Sequence, residues 1–222
     1  MPLDVLYEDN HLLGVCKPAG LLVQGDRTGD PTLVDAVSDY LRQRWAKPGR
    51  VYVGVVHRLD RPASGVLLLA RTSKAAARLS EHFRRGLVHK RYVALVERAP
   101  QPPRGTLEHH LVKDPATNRT RVTHPGAPGA RFARLHYRTI ETRAAGALVE
   151  VELETGRSHQ IRVQLADVGA VIVGDVRYGS KRQLGPMIAL HATRLEVAHP
   201  TRDERVRLEA PLPASWATLL PE

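Results

Sequence analysis

Two apolar runs with a charged knot between them constrain this chain most. VYVGVV (51–56) and GVLLLA (65–70) are continuous, short and rich in Val and Leu. Runs of that length and composition read as strands buried on both faces. HRLDRPAS, residues 57–64, joins them and places Asp60 between Arg58 and Arg61. A carboxylate set between two buried strands must be satisfied, because an unpaired buried charge costs several kcal/mol. An ion pair with Arg58 or Arg61 that closes a turn meets the need and carries no chemistry.

The rest of the chain repeats the short-strand pattern. Residues 3–24 read as strands with turns at Asp9-Asn10 and Pro18-Ala19-Gly20. KRYVALVE is a further strand, LHYRTIET and ALVEVELE form a hairpin across RAAG, and strands follow at IALHATRLEVA and ERVRLEA. Three segments have helical spacing. TLVDAVSDYLRQRW carries Leu33, Val37, Leu41 and Trp45, with KPGR as its stop. SKAAARLSEHFRRG carries Ala76, Leu79 and Phe83 on one face, with Ser73 as cap and Gly86 as end. GRSHQIRVQLADVG has Ser158 near its cap and a stripe of Ile161, Leu165 and Val168. Residues 113–131, rich in Pro, Gly and Arg, read as a mobile basic loop. No regular βαβ alternation occurs, so the class is α+β with a largely antiparallel sheet.

The 222 residues suit one large domain or two subdomains sharing a sheet. Lys and Arg number 33 against 23 Asp and Glu, a net charge of +10. A chain this basic fits a polyanion such as nucleic acid, or else a basic surface that maintains solubility; charge alone leaves both open. The single cysteine, Cys16, has no partner for an internal disulfide and reads as a buried thiol. No leader pattern and no run of about 20 apolar residues occurs, so a cytoplasmic place is expected.

Several chemistries find no support. The eleven histidines show no zinc spacing, and His109-His110 would face opposite ways on a strand. GSKR at 179–182 lacks the glycines of a phosphate loop, and neither a GxGxxG turn nor a GxSxG elbow is present. The expectation is chemistry by side chains alone, with no metal and no nucleotide cofactor. Two residues stand out beside Asp60. Tyr92 lies on the KRYVALV strand among basic residues; as a core aromatic it would need no further role. Arg162 sits about 100° round its helix from Ile161, at the edge of the buried stripe, where it needs an anion; Asp60 is a candidate. Were Arg162 instead solvated, it too would need no role.

Four motifs together resemble the RluA-type pseudouridine synthases over nearly the whole chain. They are LYEDNHLLGVCKPAGLLVQ, HRLDRPASGVLLLA, KRYVALV and GRSHQIRVQLADVGAVIVGDVRYG. HRLD with GRSHQIR about a hundred residues later is the specific signal. The resemblance implies the pseudouridine synthase catalytic fold with a catalytic cleft, and isomerisation of uridine in ribosomal or transfer RNA without a cofactor. It implies that Asp60 is the catalytic carboxylate, acting at the ribose as nucleophile or base. Tyr92 would pack on the base and handle the proton leaving C5, and Arg162 would pair with Asp60. Uridine must be flipped to be reached, so phosphate contacts are expected from Arg58, Arg61, Arg78, Arg84, Arg85, Lys90 and Arg157. Ala63, Gln164 and Ala170-Val171 depart from the family's usual Thr, His and His-Pro. A monomer is expected, as one catalytic domain over 1–222 without the extra N-terminal RNA-binding domain of many relatives. The rival reading is an RNA-binding or assembly protein of the same fold without turnover; a pure binder need not keep Asp60, Tyr92 and Arg162 together.

Overall fold

The computed structural model describes residues 3–26, 28–46, 49 and 51–219. Lys47, Pro48 and Arg50 of the expected KPGR stop lie outside the described residues. The chain divides into two compact units. The first comprises 1–89 and 192–211, the second 90–191 and 212–222.

The first unit contains β1 (Asp4–Glu8), β2 (Leu12–Lys17), α1 (Leu33–Arg44), β3 (Gly54–Val55), β4 (Ser64–Ala70) and α2 (Ser73–Arg84). It also holds most of β10 (Leu190–Ala198) and all of β11 (Arg205–Glu209). Its strands run in the order β1-β2-β4-β10, with β3 also on β4 and β11 on β10. β4 is buried along its whole length, as its continuous apolar sequence predicts. VYVGVV is not the long strand its composition suggests. Only Gly54 and Val55 pair with β4, at Ala70 and Leu69.

α1 begins with a capping box. Thr32 accepts the Asp35 amide, and the Asp35 carboxylate accepts the Thr32 amide at 3.0 Å. Leu33, Val37 and Leu41 are buried, whereas Trp45 is 48% exposed and donates through its indole to Glu8 at 2.8 Å. In α2 the cap is Thr72 rather than Ser73: its hydroxyl accepts the Ala75 amide at 3.2 Å. Both residues are good caps, and only backbone geometry selects between them. Ala75 and Leu79 form the buried face; Ala76 and Phe83 are half-buried.

The second unit contains all of β5 (His89–Val96) but its first residue, together with β6 (Arg104–Asp114), β7 (Arg119–Thr123), β8 (Arg131–Arg143), β9 (Gly146–Leu153) and α3 (Gln160–Asp167). A 3₁₀ turn follows at Val176–Tyr178. The strand order is β5-β9-β8-β6-β7, and each of these pairs is antiparallel. The expected β8–β9 hairpin is present. The expected mobile loop at 113–131 is instead mostly a hairpin, with β7 paired to β6 from His110↔Thr123 to Asp114↔Arg119. Asp114 closes its turn by accepting the Ala116 amide and the Thr117 hydroxyl, and Asn118 takes a positive φ of 50°. RTRVT shows little apolar alternation, so local chemistry and pairing make this strand, not hydrophobic pattern.

α3 also differs from expectation. Its N-cap position is His159, with φ 53° and no side-chain cap, and Ser158 is exposed. Burial runs unbroken from Gln160 to Leu165, whereas Val168 is exposed. Gln164 ties the helix to β6, its amide donating to the Leu107 carbonyl at 3.1 Å. Among the described residues no helix is long and apolar enough to cross a membrane.

Candidate active site

Asp60 lies half-exposed on the loop between β3 and β4, and three anchors fix that loop within the first unit. The first is Lys17, whose side chain is fully buried at the end of β2. Its Nζ donates to the carbonyls of Pro18 and Leu21, each at 2.9 Å, and to that of Arg61 at 3.3 Å. Burial lowers the Lys17 ammonium from 10.5 to about 8; the Asp60 carboxylate pulls the other way. The second anchor is an exchange between Arg61 and Gly20. The Gly20 amide donates to the Arg61 carbonyl at 2.8 Å, and Arg61 Nε returns to the Gly20 carbonyl at 3.0 Å.

The third anchor is His57. Its Nε2 accepts the Leu68 amide at 2.9 Å, and its ring stacks on Phe83 of α2 with centroids 4.6 Å apart. An accepting Nε2 leaves the neutral ring's proton on Nδ1. Behind the loop, the Ala63 amide closes a turn on the Asp60 carbonyl at 3.1 Å. Ala63 is 2% exposed, so its methyl fills core where the resembling family has a hydroxyl. Gly65 has φ 110°, and a Cβ there would stand 2.2 Å from the Ala192 carbonyl oxygen. No other residue can start β4 in this way.

The second unit places Tyr92 on β5, opposite Val151 of β9 and 9% exposed. Arg162 on α3 is 5% exposed. Its Nε donates to Asp175 Oδ2 at 2.7 Å and its Nη2 to Asp175 Oδ1 at 2.9 Å. The guanidinium carbon also lies 5.0 Å from the Tyr178 ring centroid. Arg162 is therefore no solvated helix residue. One carboxylate that answers its need for an anion is Asp175, thirteen residues on, which sequence reasoning did not single out.

The expected RNA-contact residues have different surroundings. Arg58 is exposed. Arg61 pairs with Asp30 at 2.8 Å besides its bond to Gly20. Arg78, Arg84 and Arg85 are exposed on or at the end of α2, but Arg78 donates to the Pro200 carbonyl at 2.5 Å and Arg84 pairs with Glu81. Lys90 is half-buried, and burial and then the Arg157 charge lower its ammonium pKa. Arg157 Nε donates to the Phe132 carbonyl at 2.8 Å.

The described residues hold no group of three or more His, Cys, Asp or Glu side chains able to bind a metal. His109 faces Asp167 at 3.1 Å and Gln164 at 2.9 Å, while the His110 ring meets Phe132. Cys16 is half-buried, and burial raises its thiol pKa. Lys17, His57, Asp175 and Tyr178 are the residues that sequence reasoning missed. A lysine closing the apolar run LLGVC and an aspartate closing VIVG were the available signals.

The family profile described as RNA pseudouridylate synthase matches residues 11–167. A Bacillus subtilis protein named "Uncharacterized RNA pseudouridine synthase YhcT" is 35% identical over 98% of this chain and 71% of its own length. The ribosomal large subunit pseudouridine synthase D of Xanthomonas campestris is 38% identical over 99% of this chain and 69% of its own. Among solved structures, human RNA pseudouridylate synthase domain containing 4 superposes with TM-score 0.81 at 24% identity, covering 97% of this chain and 91% of that one. Human RNA pseudouridylate synthase domain containing 1 gives 0.75 at 26% identity, covering 95% and 83%.

Proposed function

The chain belongs to the RluA-type family of RNA pseudouridylate synthases, isomerases acting on RNA, and we propose that its chemistry runs through the carboxylate of Asp60. In the isomerisation the N1–C1′ bond of a uridine breaks, the base turns, and a C5–C1′ bond forms. C5 loses a proton and N1 gains one, so atoms balance with no co-reactant. Asp60 acts at the ribose. Tyr92 packs on the base and takes part in transfer of the C5 proton. Arg162 supplies the cation that pairs with the reacting carboxylate and favours its ionised form.

The observation that supports Asp60 most is the fixing of its loop. The loop that carries this half-exposed carboxylate is held at Arg61 by Lys17 and Gly20 and at His57 by β4 and α2. Ordered placement of a reactive group is what catalysis by positioning requires.

The substrate in this reading is structured RNA, ribosomal or transfer, with the name of the Xanthomonas relative favouring ribosomal RNA. Arg58, Arg61, Arg78, Arg84, Arg85, Lys90 and Arg157 serve as phosphate contacts while the uridine is flipped. The enzyme works as a cytoplasmic monomer without metal or nucleotide cofactor.

The test is incubation with cellular RNA labelled with tritium at uridine C5, taken from cells lacking the gene. Release of tritium into water with matching pseudouridine in the digested RNA is expected. RNA binding without either product would favour the non-catalytic RNA-binding reading.

A further inference from the structure

Arg162 is held more firmly than a lone catalytic cation needs to be, and the residues that hold it have no assigned part in the reaction. Asp175 engages it side-on, through Nε and Nη2 at 2.7 and 2.9 Å, with the two side chains 5% and 1% exposed. That contact uses the Nε hydrogen and one Nη2 hydrogen. The Nη1 hydrogens and the second Nη2 hydrogen lie on the other edge of the same plane, the geometry for a second carboxylate.

Asp175 is itself fixed. Its carbonyl accepts the amides of Tyr178 and Ser180, each at 3.0 Å, and closes the 3₁₀ turn. Gly174 before it has φ 87°, and its amide donates to the Ser180 hydroxyl at 3.0 Å. A Cβ at Gly174 would lie 2.8 Å from the Met187 carbonyl oxygen.

Tyr178 supplies the other support. Its ring lies against the Arg162 guanidinium, and its hydroxyl accepts the Thr120 amide at 2.9 Å. The same hydroxyl lies 3.1 Å from the Thr120 carbonyl and 2.8 Å from His159 Nδ1. His159 occupies the N-cap position of α3, and Thr120 belongs to β7. Tyr178 thus joins the helix that carries Arg162 to the β6–β7 hairpin.

We propose that Asp175 and Tyr178 are positioning residues for the isomerisation: they aim the Arg162 guanidinium so that its second edge meets the reacting carboxylate. An arginine has many rotamers, and a guanidinium on a flexible stem would present that edge only part of the time. The side-on carboxylate and the aromatic ring remove this freedom. This inference rests on the reading that Arg162 serves the active site.

A double-mutant cycle separates aiming from mere support of the fold. Turnover is measured as tritium release from uridine-labelled cellular RNA for Asp175→Asn, Arg162→Ala and the double variant, with folded fraction checked by thermal melting. Asp175→Asn is expected to lower kcat about 100-fold with little change in KM, the scale of a misplaced catalytic group. In the double variant it should add nothing to the loss from Arg162→Ala, because Asp175 acts only through that residue.

Losses that multiply in the double variant would make Asp175 an independent structural residue and overturn the proposal. So would a wild-type kcat for Asp175→Asn beside an inactive Arg162→Ala, which leaves the active-site reading standing. A wild-type kcat for Arg162→Ala would instead remove Arg162 from catalysis, and the proposal with it. Should Asp175→Asn fail to fold, the same cycle with Tyr178→Leu decides, with the same non-additivity expected.

Discussion

The Nζ of Lys17 reaches the carbonyl of Arg61 at 3.3 Å, one residue past Asp60. A fully buried ammonium thus ties the end of β2 to the loop that carries the proposed catalytic carboxylate. Burial lowers its pKa to about 8, so this tether titrates in an accessible range. Four expectations follow from this arrangement and from the proposed site.

Lys17→Met should change how stability depends on pH. The folded-state pKa of about 8 lies below the ordinary 10.5, so the unfolded chain binds the extra proton between those values. Wild-type stability therefore rises with pH across that window, as the penalty of burying the charge is relieved. At about 1.36 kcal/mol per pH unit, the rise from this residue is about 3 kcal/mol. Urea melts of both proteins from pH 7.5 to 10.5 isolate it. The wild type should gain on Lys17→Met as pH increases; a constant difference would mean that Lys17 is not titrating there.

Asp60→Asn keeps the side-chain shape and removes its charge. Turnover should fall by at least about 100-fold, the minimum scale for loss of a reacting group. The thermal transition and RNA affinity should stay near wild type. Pseudouridine formation at an undiminished rate would remove Asp60 from the mechanism.

Tyr92→Phe keeps the ring and deletes the hydroxyl. It should slow a step after glycosidic cleavage more than it weakens RNA binding. Single-turnover tritium release compared with binding measures the split. Wild-type turnover in Tyr92→Phe, beside an inactive Tyr92→Ala, would show that the ring alone matters.

Salt dependence should separate grip from chemistry. Arg84 and Arg85 are exposed, and the surface pair of Arg84 with Glu81 is too weak to keep it from a phosphate. Each phosphate contact contributes a log–log slope of about −0.7 on single strands and about −0.9 on duplex DNA. Replacing both with Ala should flatten the slope and raise KM, with kcat at saturating RNA nearly unchanged. Arg162→Ala should lower kcat and leave the slope alone. A flattened slope with intact kcat in Arg162→Ala would make Arg162 a phosphate contact.

Sequence by itself determined the family, the α+β class and most strands. The continuous apolar run GVLLLA reads as a buried strand and is one, and HRLD with GRSHQIR occurs in a fixed order. It also set Arg162 at the edge of an apolar stripe, where an arginine that is buried needs an anion, and left a solvated place open; the structure decided for burial.

Tertiary structure alone decided that Asp175 is a carboxylate answering that need. Asp175 is thirteen residues from Arg162 and becomes its partner because the Gly174–Ser180 loop folds back on itself. β7 escaped the sequence reading because an Asx-closed turn and pairing with β6 make it, not hydrophobic period. Lys17 reads as an ordinary basic residue until folding closes three carbonyls around its ammonium. Local pattern encodes which face of an element is buried; the partner of a buried charge depends on which distant segments the fold brings together, and no local pattern carries that.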